Sequence, residues 1–277
     1  MLSKKIDFAI IIGVKNANPN GDPLNGNRPR VNYDGYGEIS DVCLKRKIRN
    51  RLMDSGEAIL VQSDDYRKDD CRSIKDRYDN SAALTLLDAK ASSNDIVRTA
   101  CEEWFDVRAF GQVLAFKGKT DKDAGVSIAV RGPVSIQSAF SQETVDVESL
   151  QITKSVNLET NKSDPSKKAG DTIGTKHRVN KGIYVTFGSI NRQFAEKTGF
   201  SDEDAEKLKK AILKMFENDE SSARPAGSME IIKVIWWTHT EETLSSAKVH
   251  RSLKINPDGS YELEKLNGIT VQELNGE

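Results

Sequence analysis

The sequence predicts an α+β fold in the split βαβ, ferredoxin-like order: strand, helix, strand, strand, helix, strand. Three observations predict it. Apolar strand patterns recur at residues 5–14, 126–140, 182–190 and 229–238. Amphipathic helical patterns fill 41–55 and 202–217, one before the second strand and one before the fourth. Long polar or charged segments separate the remaining elements, so the order reads as one elaborated domain over residues 1–277 with insertions.

In the first strand Phe8, Ile10 and Ile12 alternate with Ala9 and Ile11, so both faces are apolar and an interior position is expected. Residues 16–41 follow, with six Asn, four Gly and three Pro. That composition predicts a long irregular loop, which in a compact domain is generally functional. The helix at 41–55 has Ser40 as its N-cap, Ile39 and Leu44 as a hydrophobic staple, Gly56 as its stop, and Leu44, Ile48 and Leu52 as its buried stripe.

Residues 57–112 read as a helical insertion, clearest at 95–108, where Val97, Ala100, Cys101 and Trp104 recur at helical spacing. The strand pattern at 126–140 breaks at Gly132-Pro133. Residues 141–181 are polar and read as a second, basic insertion. The helix at 202–217 has Ser201 as cap and Ala205, Leu208, Ile212, Met215 and Phe216 as its apolar face. Residues 229–238, with Trp236 and Trp237, form the most apolar strand. Asn256-Pro257-Asp258-Gly259 predicts the turn of a closing hairpin.

Of the 277 residues, 37% are hydrophobic and 30% charged, which excludes a disordered chain. Net charge is −1, so any polyanion-binding surface must come from local segregation of charge. Cys43, Cys71 and Cys101 are odd in number and far apart, which suits neither a disulfide framework nor a zinc site and points to a reducing, cytoplasmic setting. The apolar run at 8–12 is too short for a signal peptide or a membrane span, and no membrane association is expected.

Three stretches carry candidate chemistry. In the loop from Lys15 to Arg30, Gly and Asn tolerate positive φ, so successive N–H groups can form an anion-binding nest, and Arg28 and Arg30 add guanidinium forks suited to phosphate. On the following helix Lys45, Arg46 and Arg49 fall on one arc. Residues 162–192 hold seven Lys or Arg against two acids, densest at Gly174-Thr175-Lys176-His177-Arg178, whereas 193–220 hold five bases against eight acids. A basic arm folding over single-stranded nucleic acid has this pattern. An unliganded surface loop, or an ordinary solvated basic face, has it as well.

No phosphate loop or nucleophile elbow is present. His177, His239 and His250 lack metal-ligand spacing. His239, at the end of an apolar strand, reads as structural. No metal and no cofactor are expected. RNA-recognition domains share the predicted order of elements, but the strand at 182–190 lacks their stacking aromatics: Tyr184 and Phe187 point to opposite faces.

Taken together, Asn18-Pro19-Asn20-Gly21-Asp22-Pro23 after the first strand, Gly37-Glu38-Ile39-Ser40-Asp41 leading into Lys45-Arg46-Lys47-Ile48-Arg49, and Gly174-Thr175-Lys176-His177-Arg178 before Gly182-Ile183-Tyr184 resemble the CRISPR-associated backbone subunit of type I Cascade complexes, most closely the type I-C form. The resemblance spans most of the chain. It implies a modified RNA-recognition palm, with 57–112 as helical fingers and 141–181 as a thumb, and a non-catalytic subunit that polymerises along crRNA as a helical filament. Partners implied are copies of itself, the target DNA strand through base pairing, the crRNA-processing cap subunit, the large subunit, and a recruited helicase-nuclease. It implies guide contacts from Asn18, Asn20, Gly21, Asn25, Arg28, Lys45, Arg46 and Arg49, from Lys176, His177 and Arg178 on the thumb, and from Gln137, Ser138 and Phe140 at its base. Arg28, Arg49 and Arg178 would then converge on one continuous furrow. Related type III backbone subunits cut RNA with a metal and a loop aspartate, so a metal-dependent endonuclease using Asp22 or Asp34 is the competing reading.

Overall fold

A computed structural model of the chain describes residues 1–87, 91–116, 126–153, 164, 173–241 and 243–277. Its elements in order are β1 (Ile6–Ala17), β2 (Gly21–Asp22), a 3-10 turn (Pro23–Asn25), β3 (Arg28–Pro29), β4 (Tyr36–Ile39), α1 (Asp41–Asp54), α2 (Ile74–Asn80), α3 (Ala82–Thr85), α4 (Ser93–Glu103), α5 (Phe105–Phe110), β5 (Gly111–Phe116), β6 (Val126–Arg131), β7 (Val134–Ile136), β8 (Ala139–Thr144), β9 (Val147–Thr153), β10 (Ile173–Ile190), α6 (Arg192–Thr198), α7 (Asp202–Leu213), β11 (Met229–His239), α8 (Ser246–Arg251), β12 (Leu253–Ile255), β13 (Tyr261–Leu263) and β14 (Ile269–Asn275). The order expected from sequence is present as β1, α1, β7–β8, β10, α7 and β11.

The antiparallel main sheet runs β14-β11-β1-β10-β8-β4, with β7 and β9 also paired to β10. β1 lies between β10 and β11, which explains why both its faces are apolar. Phe8, Ile10, Ile12 and Val14 pack on one face against Leu44, Ile48 and Leu52 of α1 and Leu208 and Ile212 of α7. The opposite face is covered too. Ala9, Ile235 and Trp237 meet Val249 of α8 and Leu253, with Tyr261 and Leu263 of the β12–β13 hairpin alongside. A third core forms where Leu60, Cys101, Trp104 and Val107 meet Leu114 and Val130.

Four expectations are corrected. The loop at 16–41 is not irregular. β2 and β3 pair across the 3-10 turn, and β4 joins the main sheet. Asp22 caps that turn by accepting from Leu24 N at 3.1 Å, an interaction that Asx turn chemistry supplies without any apolar pattern. The helix expected at 95–108 is two helices, broken at Trp104, whose backbone is extended. The strand expected at 126–140 is three: β6 turns away from the main sheet to pair with β5. The polar stretch before Gly182 is strand as well, because 173–179 of β10 pair with 153–147 of β9. Lys162, Lys167 and Lys168 of the basic stretch lie outside the described residues.

Candidate nucleic-acid interface

The side chains from separate stretches that do converge meet at Ser149, on β9. Arg28 Nη1 donates to Ser149 Oγ at 2.7 Å, and His177 Nδ1 lies 2.9 Å from the same oxygen. β3 and β10 are thereby joined through one hydroxyl that nothing in the local sequence marks. The junction is at the surface, so a guanidinium and an imidazole are presented together to solvent. That is an arrangement suited to phosphate oxygen.

The loop feeding Arg28 is held by its own polar groups. Asn18 is buried and its Nδ2 donates to Asn27 O at 2.7 Å. Asn20 Oδ1 accepts from Ser40 N at 2.9 Å and from Ser40 Oγ at 2.8 Å, tying the loop to the N-cap of α1. Gly21 lies close under the Asn27 side chain: a Cβ there would sit 2.0 Å from Asn27 Oδ1, so a larger residue would displace that side chain. Within the Lys15–Arg30 loop positive φ occurs at Asn16, Gly26 and Asn27, residue types expected from the sequence to tolerate it. Asn25 is exposed in the 3-10 turn, and Arg30 pairs with Asp22 at 3.5 Å.

The basic arc on α1 is not an open face. Lys45 pairs with Asp41 at 2.9 Å, and Arg46 reaches Asp219 at 3.8 Å. Arg49 Nε donates to Asp106 Oδ2 at 2.8 Å, its guanidinium lies over the Phe110 ring, and Asp106 also accepts from Leu60 N and Val61 N. Asp106 is buried, so Arg49 acts as a strut between α1 and α5. Buried Lys47 pairs with Asp219, which also holds Arg224 at 2.9 Å. Burial pulls the Lys47 ammonium below its ordinary value and Asp219 opposes that shift. The acids arrive from distant segments, which is why helical spacing alone suggested free cations.

Along β9–β10 the pairing is continuous from Val179↔Val147 to Ile173↔Thr153, so side chains alternate between the two faces. His177 faces Ser149, while Lys176 and Arg178 lie on the other side, Arg178 in a pair with Glu148 at 2.9 Å. Arg28, Arg49 and Arg178 therefore do not line one furrow. Gln137 bonds through its backbone to Phe187 O at 2.9 Å and to Thr186 Oγ1 at 2.7 Å, leaving its side chain exposed. Ser138 is half-buried and Phe140 is 41% exposed. Sequence reasoning missed Ser149, Glu148, Asp106 and Asp219. An acid between Phe105 and Val107 was a legible sign of a buried ion pair at Asp106; Ser149 offered none.

Among the described residues, no three His, Cys, Asp or Glu side chains gather as metal ligands, and no helix is long and apolar enough to cross a membrane. Fold and site together define an elaborated α+β domain with an antiparallel sheet and a surface Arg–Ser–His junction. Residues 4–272 match the family model described as CRISPR-associated protein Cas7. A curated "CRISPR-associated protein Cas7" from Haloferax volcanii is 26% identical over 276 residues, covering 96% of this chain and 79% of that protein. Among solved structures, a chain of a "CRISPR RNA-guided surveillance complex, pre-nicking" is similar at TM-score 0.49 and 14% identity, covering 88% of this chain and 81% of that one. A chain of a "CRISPR RNA-guided surveillance complex" is similar at TM-score 0.49 and 17% identity, covering 92% and 77%. The chain belongs to the CRISPR-associated protein Cas7 family.

Proposed function

We propose that this chain is the crRNA-binding backbone subunit of a type I-C Cascade complex, in the cytoplasm. Copies of it stack along the guide, hold sugar–phosphate, and leave bases free to pair with a target DNA strand. Specificity then resides in base pairing, as in other RNA-guided effectors. The crRNA-processing cap subunit, the large subunit and a helicase-nuclease complete the assembly in this reading. The main sheet with α1 and α7 serves as a modified RNA-recognition palm, the 57–112 segment as fingers, and the 141–181 segment, built in part by β9 and β10, as the thumb.

The observation that carries the reading is Ser149 Oγ drawing Arg28 and His177 together, within a family member that has this order of elements. Asn25, Gln137, Ser138, Phe140 and Lys176 are the other candidate contacts. Asn18, Asn20 and Gly21 shape the loop that presents Arg28. Lys45, Arg46 and Arg178 contribute once RNA phosphate competes with their carboxylate partners. No catalysis is assigned to the chain, since Asp22 caps a turn and Asp34 lies exposed in the turn at 32–35.

The test is co-expression with a CRISPR repeat–spacer transcript, followed by sizing and extraction of bound nucleic acid. The expected result is a multi-copy particle carrying RNA of one defined length. Monomers with RNA of random length would overturn it. Incubating the particle with complementary RNA and magnesium addresses catalysis: cleavage lost on Asp22→Ala or Asp34→Ala would replace this reading with the endonuclease one.

A further inference from the structure

A second basic corner lies away from the Arg28 junction. Lys15 of β1 and Lys181 of β10 stand directly opposite each other in antiparallel register. Like charges so placed repel and destabilise the pair. Among the described residues neither ammonium has an ion pair; the charge of Lys181 reaches Asp258, in the turn at 256–259, only at longer range. Lys15 N donates to Ser228 O at 2.8 Å, which fixes the lysine beside that serine. Ser228 is nine-tenths buried, and its Oγ has no hydrogen-bond partner among the described residues. Leaving a buried hydroxyl unsatisfied destabilises the fold. Lys15, Lys181, Gly227, Ser228 and Glu230 line one cavity of about 300 Å³, with Ile183 at its side.

Two unmet features thus share one hollow: a repelling pair of cations and a buried hydroxyl without a partner. One tetrahedral oxyanion answers both. We propose that this corner binds a phosphate group, held by the Lys15 and Lys181 ammoniums and by the Ser228 hydroxyl as donor. Glu230 is the carboxylate of the lining and weakens the site by its charge. The proposal stands apart from the guide-RNA reading, because a chain that holds no RNA can still bind phosphate here. The phosphate has two possible sources, a free phosphate or mononucleotide and the phosphodiester of a bound strand.

The experiment uses the full chain stripped of nucleic acid, as wild type, Lys15→Gln/Lys181→Gln, Ser228→Ala and Glu230→Gln. One arm follows the thermal midpoint as inorganic phosphate replaces chloride at constant ionic strength. The other measures affinity for a labelled ten-nucleotide oligouridine without a terminal phosphate. Phosphate is expected to raise the wild-type midpoint above that in chloride. The lysine variant loses that gain, Ser228→Ala loses part of it, and Glu230→Gln enlarges it. In chloride alone the lysine and serine variants unfold at or above the wild-type temperature, because a repulsion and an unmet hydroxyl have been removed. A drop of about tenfold in oligouridine affinity for the lysine variant assigns the site to a phosphodiester. Unchanged oligouridine affinity with a lost phosphate response assigns it to free phosphate. A lysine variant that matches wild type in both arms overturns the proposal, as does loss of stability by these variants in chloride. Wild-type chain that ignores oligouridine yet responds to phosphate counts against RNA binding and leaves this site standing.

Discussion

At the scale of single residues, the most consequential polar group is Asp7. It is fully buried on β1, with Oδ2 at 2.7 Å from His239 Nε2 and 3.4 Å from Lys5 Nζ, and with His250 Nε2 3.5 Å from Oδ1. Burial alone would raise its carboxyl. The hydrogen bond from His239, the nearby His250 and Ser246, and the charge of Lys5 outweigh that and hold it well below the usual carboxylate range. A carboxyl depressed in the folded state contributes stability above its unfolded value of about 4, and that contribution is lost as pH falls through the folded value. Asp7→Asn is therefore expected to cost about 3 kcal/mol in urea unfolding at pH 7. The gap between wild type and variant stays constant down to about pH 4 and narrows below it. A gap that widens in acid would refute this account. Arg28 makes the opposite prediction. It is at the surface, so Arg28→Gln leaves stability within about 0.5 kcal/mol and lowers RNA retention and its salt slope. Unchanged retention across a salt series would remove Arg28 from the interface.

At the scale of elements, α1 is the hinge post of the molecule. Its apolar stripe packs on the sheet, Lys47 ties it to the 214–224 turn through Asp219, and Arg49 ties it to α5 through Asp106. Asp106 also accepts from the backbone of Leu60 and Val61, so one carboxylate joins α1, the segment at 60–61 and α5. Asp106→Ala is expected to cost roughly 3–5 kcal/mol, because it leaves a buried guanidinium and two N–H groups unmet. Arg49→Gln and Asp106→Asn should lower RNA retention alike, each in proportion to lost stability, and their double variant should show a coupling of about 0.5–3 kcal/mol. Additive behaviour, with Arg49→Gln alone weakening RNA binding at full stability, would instead place Arg49 on RNA.

At the scale of the whole molecule, the main sheet is covered on both faces. α1 and α7 cover one, and α8 with the β12–β13 hairpin covers the other, where His250 stacks on Phe187 at 4.8 Å between centroids. An RNA-recognition domain with an open sheet loses about 1–3 kcal/mol per base when a stacking aromatic is removed. Here Phe187→Ala should reduce stability but leave RNA affinity, measured by anisotropy well below the unfolding range, within about twofold. A loss of tenfold or more would show that bases reach the sheet. The net charge of −1 fits the many pairings of cations with acids, inside the fold as at Lys47–Asp219 and Arg49–Asp106 and at the surface as at Lys75–Asp79 and Arg98–Asp95.

The sequence by itself determined the order of the core elements β1, α1, β7–β8, β10, α7 and β11, the interior position of β1, the caps at Ser40 and Ser201, and the turn at 256–259, since each is written in residues a few positions apart. It also showed that Tyr184 and Phe187 face opposite sides, because strand alternation is local. The tertiary structure alone decided which cations are free. Arg49 meets an acid 57 residues away, Lys47 one 172 residues away, and Arg28 a hydroxyl 121 residues away. Spacing along a chain fixes neighbours within a turn or a strand, whereas charge is neutralised or exposed by whatever the fold brings within a few ångströms.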